Sequence, residues 1–410
     1  MPRHNSPPEP AVSVLIPTYN RAGYLRQALD SVLAQTVPPA EIIVVDDGST
    51  DDTAACIAAY GPAVCYLCHQ RNRGIAAARN TGLQAAQGDL TAWLDSDDLW
   101  EPAFLARTTA LLAEDATLDG VYTGLTMIDA EGTALRTAIH VEPPPELYDA
   151  MVRDSFLATA SLVVRRRCYD QVGLFDPQFR ICEDYDMWLR LAQRFRIAGI
   201  PEPLVRIRVH SANTMADLQA VCAARLAIAE KHSPASQADS SAALASRRAH
   251  GYALRSVALR HLEAGQPDEG WRLFQQAVER YPAMLGRLDT CYELACADQP
   301  RGWRGDVASL DLVANGDDLL LRLEALLAGA PAEIRAWRRT ALGNAHLALG
   351  MLSDQAGDWA LARQHLWRAL RANPRLALER GVVRRLAKLH VGRRLVARLR
   401  RLQPARSEEG

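Results

Sequence analysis

Short apolar runs alternate with helical patterns over the first hundred residues. Four runs are almost continuously apolar, at 11–17, 41–45, 64–67 and 90–94. Such runs are typical of strands buried on both faces of a sheet. Three segments between them place apolar residues at helical spacing, at 22–35, 49–60 and 74–86. This alternation predicts an α/β fold with a mainly parallel central sheet and helices on both faces.

The chain beyond residue 118 follows a less regular pattern. Strand-like pieces stand at 121–128, 161–165 and 200–209, and no element is predicted over 130–160. Residues 183–191 predict a helix, because acidic residues occupy its first turn and apolar residues follow. In the first region, Ser49 is predicted to cap the helix over 49–60.

From about Ala216 the pattern becomes all-helical, with long Ala, Leu and Arg segments. Five positions recur 92 residues apart: Gly265, Gly270, Phe274, Ala277 and Pro282 align with Gly357, Ala362, Leu366, Ala369 and Pro374, and Gly350 stands at a further small position. The pattern resembles the tetratricopeptide repeat, a helix pair of about 34 residues. Because the spacing is not a multiple of that length, an ordinary helical bundle is the alternative.

These patterns predict two domains with short tails. The α/β domain is expected over 11–215 and the helical, tetratricopeptide-like region over 216–403. The segments 1–10 and 404–410 are expected to be disordered, because they are polar and rich in proline or charge.

Composition narrows the class of protein. The chain has 410 residues, of which 49% are apolar and 23% charged, with a net charge of −1. Such a balance gives no general attraction to nucleic acid or to an anionic membrane. No apolar run is long enough to span a bilayer, and the first residues lack a signal-peptide pattern. A cytoplasmic location is therefore expected.

Cysteine usage argues against a zinc site, and lysine usage weakens arginine abundance as evidence for anion binding. The C-x-x-C of Cys65 and Cys68 has no second Cys or His pair at zinc-site spacing, so reduced thiols are expected throughout. Lysine occurs only at Lys231 and Lys388. Arginine is thus the default base of this chain, and its abundance alone is weak evidence for anion binding.

Polar residues follow the end of each of the first four predicted strands. They are Thr18–Asn20, Asp46 and Asp47, Arg71–Arg73, and Asp95–Asp98. The carboxyl ends of parallel strands meet at one edge of a sheet, where ligands of such folds bind. These four groups should therefore line one site.

Several readings of the acidic groups compete. Asp46 and Asp47 suit a solvated turn, whereas a receiver domain would need a lysine at a later strand end, and none precedes Lys231. A phosphate-binding P-loop and a G-x-G-x-x-G motif are both missing. Asp95, Asp97 and Asp98 suit a divalent cation shared with substrate phosphates. The alternative is an exposed loop that caps a helix starting near Glu101, and Asp98 fits either reading.

Six blocks together identify a family resemblance. They are V-S-V-L-I-P-T-Y-N-R, E-I-I-V-V-D-D-G-S-T-D-D-T, N-R-G-I-A-A-A-R-N-T-G, W-L-D-S-D-D-L-W, E-D-Y-D-M-W-L-R-L and R-I-R-V-H, beginning at residues 12, 41, 72, 93, 183 and 206. In this order they resemble the inverting family 2 glycosyltransferases of GT-A fold, over roughly residues 10–215. The resemblance is specific for the family but not for a substrate.

The resemblance implies a role for each matching residue. Nucleotide and substrate contacts are expected from Pro17, Thr18, Asn20, Asp46, Asn72, Gly74, Arg79, Asp95, Asp186 and Trp188, with Asp46 recognising the base. Asp97 is expected to bind Mn²⁺ or Mg²⁺. His210 is a second candidate ligand, or else a packed histidine. Asp184 is expected to be the general base, with Glu183 and Asp186 as the nearby alternatives.

The resemblance also implies partners and a process. The donor is expected to be a nucleotide diphosphate sugar, most plausibly linked to UDP, and the acceptor a saccharide or lipid-linked hydroxyl in polysaccharide or glycoconjugate synthesis. A catalytically inactive scaffold acting through its helical repeats is the alternative. A nucleotidyltransferase fits less well, because P-T-Y-N-R replaces the usual Gly-rich loop.

The basic segment 382–402 has two readings of its own. It combines an apolar stripe with eight Arg or Lys residues and no acid. Such a helix can lie on the inner face of a membrane, or it can cap the repeats. The helical region could also bind a protein partner.

Overall fold

The computed structural model describes residues 11–210, 217–232, 240–299, 306–387 and 389. The chain divides into two compact units, Met1–Lys231 and His232–Gly410. The first unit is the α/β part. The last predicted helix, 382–402, lies mostly outside the described residues.

The described part of the first unit contains nine strands: β1 Val12–Thr18, β2 Glu41–Asp46, β3 Cys65–Cys68, β4 Leu90–Trp93, β5 Leu99–Trp100, β6 Gly120–Ile128, β7 Ala134–Ala138, β8 Leu162–Arg165 and β9 Ile197–Arg208. Its helices are α1 Ala22–Leu33, α2 Thr53–Ala58, α3 Ile75–Ala85, α4 Phe104–Glu114, α5 Leu147–Arg153, α6 Arg167–Val172, α7 Glu183–Arg194 and α8 Leu218–His232. All nine strands belong to one sheet.

The sheet is parallel in its first half and mixed in its second. The order is β3-β2-β1-β4-β8-β6-β9-β5, with β7 paired to β6. Strands β3, β2, β1 and β4 run parallel, as do β6 and β9. The other pairings are antiparallel. The predicted α/β class is confirmed, and the four parallel strands are those that the apolar runs predict.

Alternate side chains of the central strands pack into two separate cores. Leu15 and Trp93 lie in the core beneath α3 and α7, while Val14 and Phe104 lie in the core beneath α1 and α4. All four are at most 1% exposed. Because both faces are covered, the strands read as continuous apolar runs rather than as an alternation.

Two predicted helix starts lie elsewhere. The N-cap of α2 is Asp52, and Ser49 belongs to the preceding turn instead. No helix begins near Glu101, because Leu99 and Trp100 pair with β9 as strand β5 and α4 starts only at Phe104. In both cases a tertiary contact overrides a local signal.

The helix α8 packs on the α/β part, although the sequence pattern assigns it to the helical region. Val221 and Ile228 are fully buried in the core beneath α3 and α7. The compact unit therefore extends to Lys231. The predicted boundary at 215/216 stays a prediction for the limits of the functional domain.

The described part of the second unit is helical. Its helices are α9 Ser240–Glu263, α10 Pro267–Arg280, α11 Leu288–Ala295, α12 Leu312–Gly329, α13 Ala332–Arg335, α14 Arg338–Ala356 and α15 Trp359–Ala372. No helix within the described ranges has the length and apolar character needed to cross a bilayer.

Two helix pairs of this unit share the predicted recurring positions. Gly265 and Gly357 both adopt positive φ, at 71° and 80°, just after the first helix of each pair. Phe274 and Leu366 are both fully buried in the second helix. The pairs α9–α10 and α14–α15 thus repeat one local design, while assignment to the tetratricopeptide family stays a prediction.

Candidate functional site

One cavity of about 850 Å³ opens at the carboxyl ends of β1, β2 and β4, next to the start of α7. Residues from all four predicted strand-end groups line it, which confirms that they converge. The polar and charged lining residues are Thr18, Tyr19, Arg21, Asp47, Arg71, Asn72, Arg73, Arg79, Asp95, Ser96, Asp97, Asp98, Arg180, Glu183, Asp184 and Arg208. Pro17 and Gly74 also line it.

Asp47 organises the loop between β3 and α3. Its Oδ1 accepts a hydrogen bond from the Arg73 backbone N–H at 2.9 Å, and its Oδ2 accepts one from Gly74 N–H at 2.7 Å. The preceding turn needs glycine at position 48. There φ is +80° and a Cβ atom would stand 2.7 Å from the Arg71 carbonyl carbon. The loop is therefore fixed against β2.

Asp46 lies next to this turn but not among the residues that line the cavity. Its side chain accepts hydrogen bonds from Ser49 N–H and from the Tyr66 hydroxyl, each at 2.8 Å. The residue is 1% exposed. Recognition of a base by Asp46 would require Tyr66 to move, so that role stays a prediction.

Asn20 fixes the conformation of the loop after β1 and is not among the residues that line the cavity. Asn20 has φ of 51°, its Oδ1 accepts from Thr50 N–H at 2.7 Å, and its own N–H donates to Ser49 Oγ. Asparagine tolerates this left-handed conformation better than most residues do. Pro17, Thr18 and Tyr19 of the same loop face the cavity instead, and the Tyr19 ring is 43% exposed.

Asp97 and His210 come together although they are 113 residues apart. His210 Nε2 lies 3.0 Å from Asp97 Oδ2, and the guanidinium of Arg21 lies 2.6 Å from the same oxygen. The His210 ring stacks on Tyr24 with centroids 5.1 Å apart. The structure therefore joins the two predicted metal ligands at one point.

The donor set at this point fits a divalent cation. Asp97 Oδ2 and His210 Nε2, 3.0 Å apart, are an oxygen donor and a nitrogen donor of the kinds that bind divalent cations. Arg21 already places a positive charge between them. In the described residues no set of three or more His, Cys, Asp or Glu side chains forms a metal site by itself, so a cation here would need substrate oxygens and water.

Asp98 ties the acidic loop to β9. Its Oδ1 accepts a hydrogen bond from Arg208 N–H at 2.9 Å, and Arg208 Nε donates to the Asp97 carbonyl. Burial, together with the charges of Asp97 and Asp95, raises the pKa of Asp98 well above its usual range. Asp98 does not cap a helix, because α4 starts at Phe104 with Ala103 as its N-cap, and its role as a metal ligand stays a prediction.

Arg79 forms the centre of a buried charge network. Its guanidinium contacts Asp95 Oδ1 at 2.9 Å, Glu183 Oε1 at 3.3 Å and Thr159 Oγ1 at 3.2 Å. It also lies over the rings of Trp93 and Phe175. With its side chain only 2% exposed, Arg79 positions the carboxylates and presents little surface to a ligand.

Burial shifts both carboxyl groups that contact Arg79. Desolvation raises the pKa of Glu183 to about 7, with the charge of Asp184 adding to the effect and Arg79 opposing it. Desolvation raises the pKa of Asp95 to about 6, although Arg79 again opposes the shift. Groups that titrate near neutral pH in a cavity are typical of functional sites.

Asp184 lies half-buried at the first turn of α7 and lines the cavity. Its Oδ2 accepts a hydrogen bond from the Thr159 hydroxyl at 2.8 Å, and its Oδ1 accepts one from Tyr185 N–H at 2.7 Å. The residue before the helix, Cys182, has φ of 62°. A left-handed residue of this kind is costly, and here it sets the direction in which the first turn of α7 enters the cavity.

The structure does not bring Asp186 and Trp188 to the cavity. Asp186 is 0% exposed and its carboxylate binds Arg190 and Lys231. Trp188 is 1% exposed and packs edge-on against Phe175. Both side chains are packed inside the unit on different sides of α7, so their expected substrate contacts stay predictions.

Four residues at the site were missed by sequence reasoning: Arg21, Thr159, Arg180 and Arg208. Arg21 and Arg208 stand inside blocks that carry the family resemblance, so position within a block was an available signal. Thr159 lies in a short 3₁₀ turn, Thr159–Ser161, within a segment for which no pattern was visible. Nothing in the sequence distinguishes it from other threonines.

Comparisons with known proteins concern the family of this chain rather than individual residues of the cavity. Residues 13–162 match the family described as Glycosyl transferase family 2. An uncharacterized glycosyltransferase of Rickettsia prowazekii is 34% identical over 217 residues, which are 50% of this chain and 66% of that protein. The putative teichuronic acid biosynthesis glycosyltransferase TuaG of Bacillus subtilis is 33% identical over 207 residues, which are 49% of this chain and 80% of that protein.

The chain spans less than two thirds of the length of several relatives, and only between 30% and 35% of three further Rickettsia proteins. Among solved structures, residues 1–349 of S. aureus TarS match with a TM-score of 0.49 at 18% identity. That match covers 85% of this chain and 92% of the other.

Proposed function

Since this chain belongs to glycosyl transferase family 2 and its first unit has the GT-A fold, we propose that it is a metal-dependent, inverting glycosyltransferase. It would move a sugar from a nucleotide diphosphate sugar to an acceptor hydroxyl. One observation carries the proposal: Asp97, which contacts His210, and Asp184 line a single cavity from different elements. Inversion needs this separation of a leaving-group side from a base side.

The donor side is proposed to lie between the acidic loop and the arginines of the cavity. Arg71, Arg73 and Arg180 line it and can donate to diphosphate oxygens. The exposed ring of Tyr19 offers a face against which a base can stack. UDP is the proposed nucleotide, and Asn72 and Gly74 are proposed contacts because they line the same cavity.

Asp97 and His210 are proposed to hold Mn²⁺ or Mg²⁺. A bound divalent ion neutralises charge that grows on a leaving diphosphate. The role of this chain is to present one carboxylate oxygen and one imidazole nitrogen 3.0 Å apart. Without a cation, the carboxylates of this loop would repel a diphosphate.

Asp184 is proposed to act as the general base. The acceptor hydroxyl gives its proton to the carboxylate while its oxygen forms a bond to C1 of the donor sugar. The bond from C1 to the diphosphate oxygen breaks on the opposite face, and its electron pair leaves with the nucleoside diphosphate. C1 is thereby inverted. Glu183 is less suited to this role, because it is 3% exposed and lies 3.3 Å from Arg79 within the buried network.

The acceptor and the process are proposed from what is known of relatives. A saccharide or lipid-linked hydroxyl in polysaccharide or glycoconjugate synthesis is proposed, in keeping with the teichuronic acid role named for TuaG. A cytoplasmic location, a protein partner for the helical unit and membrane contact through 382–402 also remain proposals. Most of that segment lies outside the described residues.

The direct test is release of nucleoside diphosphate from a panel of UDP-sugars and GDP-mannose, with Mn²⁺ or with EDTA. We expect release from at least one donor with Mn²⁺ and little with EDTA. A thermal-shift panel of the same donors identifies the one that binds. If no donor is bound and none releases its nucleoside diphosphate, the proposal is overturned and the inactive scaffold is favoured.

A further inference from the structure

Thr159 connects the proposed base to the buried network around Arg79. Its hydroxyl lies 2.8 Å from Asp184 Oδ2 and 3.2 Å from Arg79 Nη1. The residue is 4% exposed and starts the short 3₁₀ turn that leads into β8. It therefore comes from a different element than either of its partners.

The chemistry of the two partners fixes the direction of both hydrogen bonds. A guanidinium has only donors, so Thr159 Oγ1 accepts from Arg79. A hydroxyl has one hydrogen, and this leaves it for Asp184, whose ionised carboxylate can only accept. The Thr159 hydroxyl is thus directed at Asp184 Oδ2 in its charged form.

Arg79 cannot easily turn away from Thr159. Its Nη2 donates to Asp95 at 2.9 Å, and the carboxylate of Glu183 lies 3.3 Å from its Nε as a charge contact without a hydrogen bond. The rings of Trp93 and Phe175 pack beside it, with centroids 5.8 and 5.6 Å from the guanidinium carbon. A side chain locked in this way is what positions a reacting group accurately.

We propose that Thr159 is a positioning residue that holds the carboxylate of Asp184 ready to accept the acceptor proton. Through Arg79 it also ties this base to Asp95 on the donor side of the cavity. The inference rests on the proposed function, because it assigns Asp184 the role of base. It adds a residue and a connection that the family resemblance does not supply.

The charges around Asp184 come from three elements and the loop before α7. Glu183 precedes it on α7, Arg79 reaches it from α3, and Asp95 stands in the loop after β4. Arg180 lines the same cavity. The variants below leave all four in place, so a change in pH dependence reports on the hydroxyl alone.

The test compares Thr159→Val, which keeps the shape and removes the hydroxyl, with Thr159→Ser, which keeps the hydroxyl. Ser161→Ala is the matched control, because Ser161 lies in the same turn and donates only to the Ala158 carbonyl among the contacts described. The readouts are Mn²⁺-dependent UDP release across pH, UDP affinity with Mn²⁺, and a crystal structure of each variant.

We expect Thr159→Val to lower kcat by about 10- to 100-fold, since misplacing a reacting group costs rates of this order. Its acidic limb should move to higher pH, because the charged carboxylate loses a donor. UDP affinity should stay within about twofold, and the crystal structure should show Asp184 in another rotamer. Thr159→Ser and Ser161→Ala should resemble the wild type.

Two results would overturn the inference. One is a Thr159→Val enzyme whose pH profile matches the wild type. The other is an Asp184 side chain that keeps its place in the Thr159→Val crystal structure, which counts against the inference even without turnover. By contrast, a wild type that releases no UDP from any donor, with Asp184 displaced in Thr159→Val, defeats the proposed function and leaves the positioning role standing.

Discussion

Two acidic segments of the first unit carry their acids in mirror-image order but differ in which of them are buried. Each holds three carboxylates within four residues: Asp95, Asp97 and Asp98 in one, and Glu183, Asp184 and Asp186 in the other. In the first, all three acids line the cavity, with Asp95 and Asp97 partly exposed and Asp98 buried. In the second, only Asp184 is half-exposed, while Glu183 and Asp186 are buried.

The backbone explains the difference. The first segment is a turn, closed by a hydrogen bond from Asp98 N–H to the Asp95 carbonyl at 3.0 Å, and within it residues 95 and 97 are partly exposed while 96 and 98 are buried. The second opens a helix, where residues three apart share a side, so 183 and 186 turn inward together. Which acidic side chains are exposed is therefore decided by the local backbone conformation and not by how many acids stand next to one another.

The partners differ in the same way. Asp97 contacts Arg21 and His210, which are partly accessible cations or ligands at the cavity. Asp186 contacts Arg190 and Lys231 inside the unit, where the pairs support packing. A carboxylate that contacts basic side chains thus belongs to the candidate site in one segment and to a structural ion pair in the other.

The largest effect is expected from Asp184→Asn. An amide cannot take the acceptor proton, so kcat should fall by about 10²- to 10⁴-fold, the range for loss of a general base. The measurement is Mn²⁺-dependent UDP release by the purified variant. Asp186→Asn is the matched control on the same helix. An Asp184→Asn enzyme with more than a tenth of wild-type kcat would contradict the assignment.

A loss of stability without a loss of chemistry is expected from Asp186→Asn. Its carboxylate is 0% exposed and accepts from Arg190 and Lys231, so removing its charge should cost about 1–3 kcal/mol of unfolding free energy. Urea unfolding measures this. Asp176→Asn, which breaks the more exposed pair with Lys231, should cost less than about 1 kcal/mol. Equal losses would argue against a buried ion-pair role.

A smaller, pH-dependent effect is expected from Glu183→Gln. The folded-state pKa of Glu183 is raised to about 7 from 4.5. Its protonated form therefore favours folding below about pH 4.5, and this contribution is lost as pH rises towards 7. Glutamine does not titrate. The unfolding free energy of the variant relative to wild type should therefore rise by on the order of 1–3 kcal/mol from pH 5 to pH 7.5.

Denaturant unfolding at both pH values tests this, with Glu202→Gln at the surface as control, since Glu202 pairs only with the exposed Arg107 among the contacts described. A difference that stays constant with pH, or one that falls, would mean that Glu183 is ionised throughout the range.

Much of the α/β fold could be predicted because burial on both faces leaves a strong signal. The runs that became β1, β2 and β4 are almost continuously apolar and buried, whereas β3 is largely exposed, and the edge where these strands end collects the cavity residues. The short strand β5 could not be predicted. Leu99 and Trp100 form a strand only because β9, a hundred residues later, pairs with them.

Site residues could be predicted where they follow a strand end or stand in a motif block, but not where tertiary packing alone places them. Asp97 and Asp184 stand in recognisable blocks, and His210 joins Asp97 through the register of β9. Thr159 and the inward turn of Trp188 depend on how α7 packs on the sheet. No local pattern in the sequence carries that information.

The most direct test of the account separates its two acidic segments by binding. UDP affinity is measured by calorimetry with Mn²⁺ and with EDTA for wild type, Asp97→Asn and Asp184→Asn. We predict that Mn²⁺ strengthens binding at least about tenfold in wild type and Asp184→Asn, and that Asp97→Asn loses this enhancement. An enhancement that survives in Asp97→Asn, or one that disappears in Asp184→Asn, would contradict the division of the cavity into a metal side and a base side.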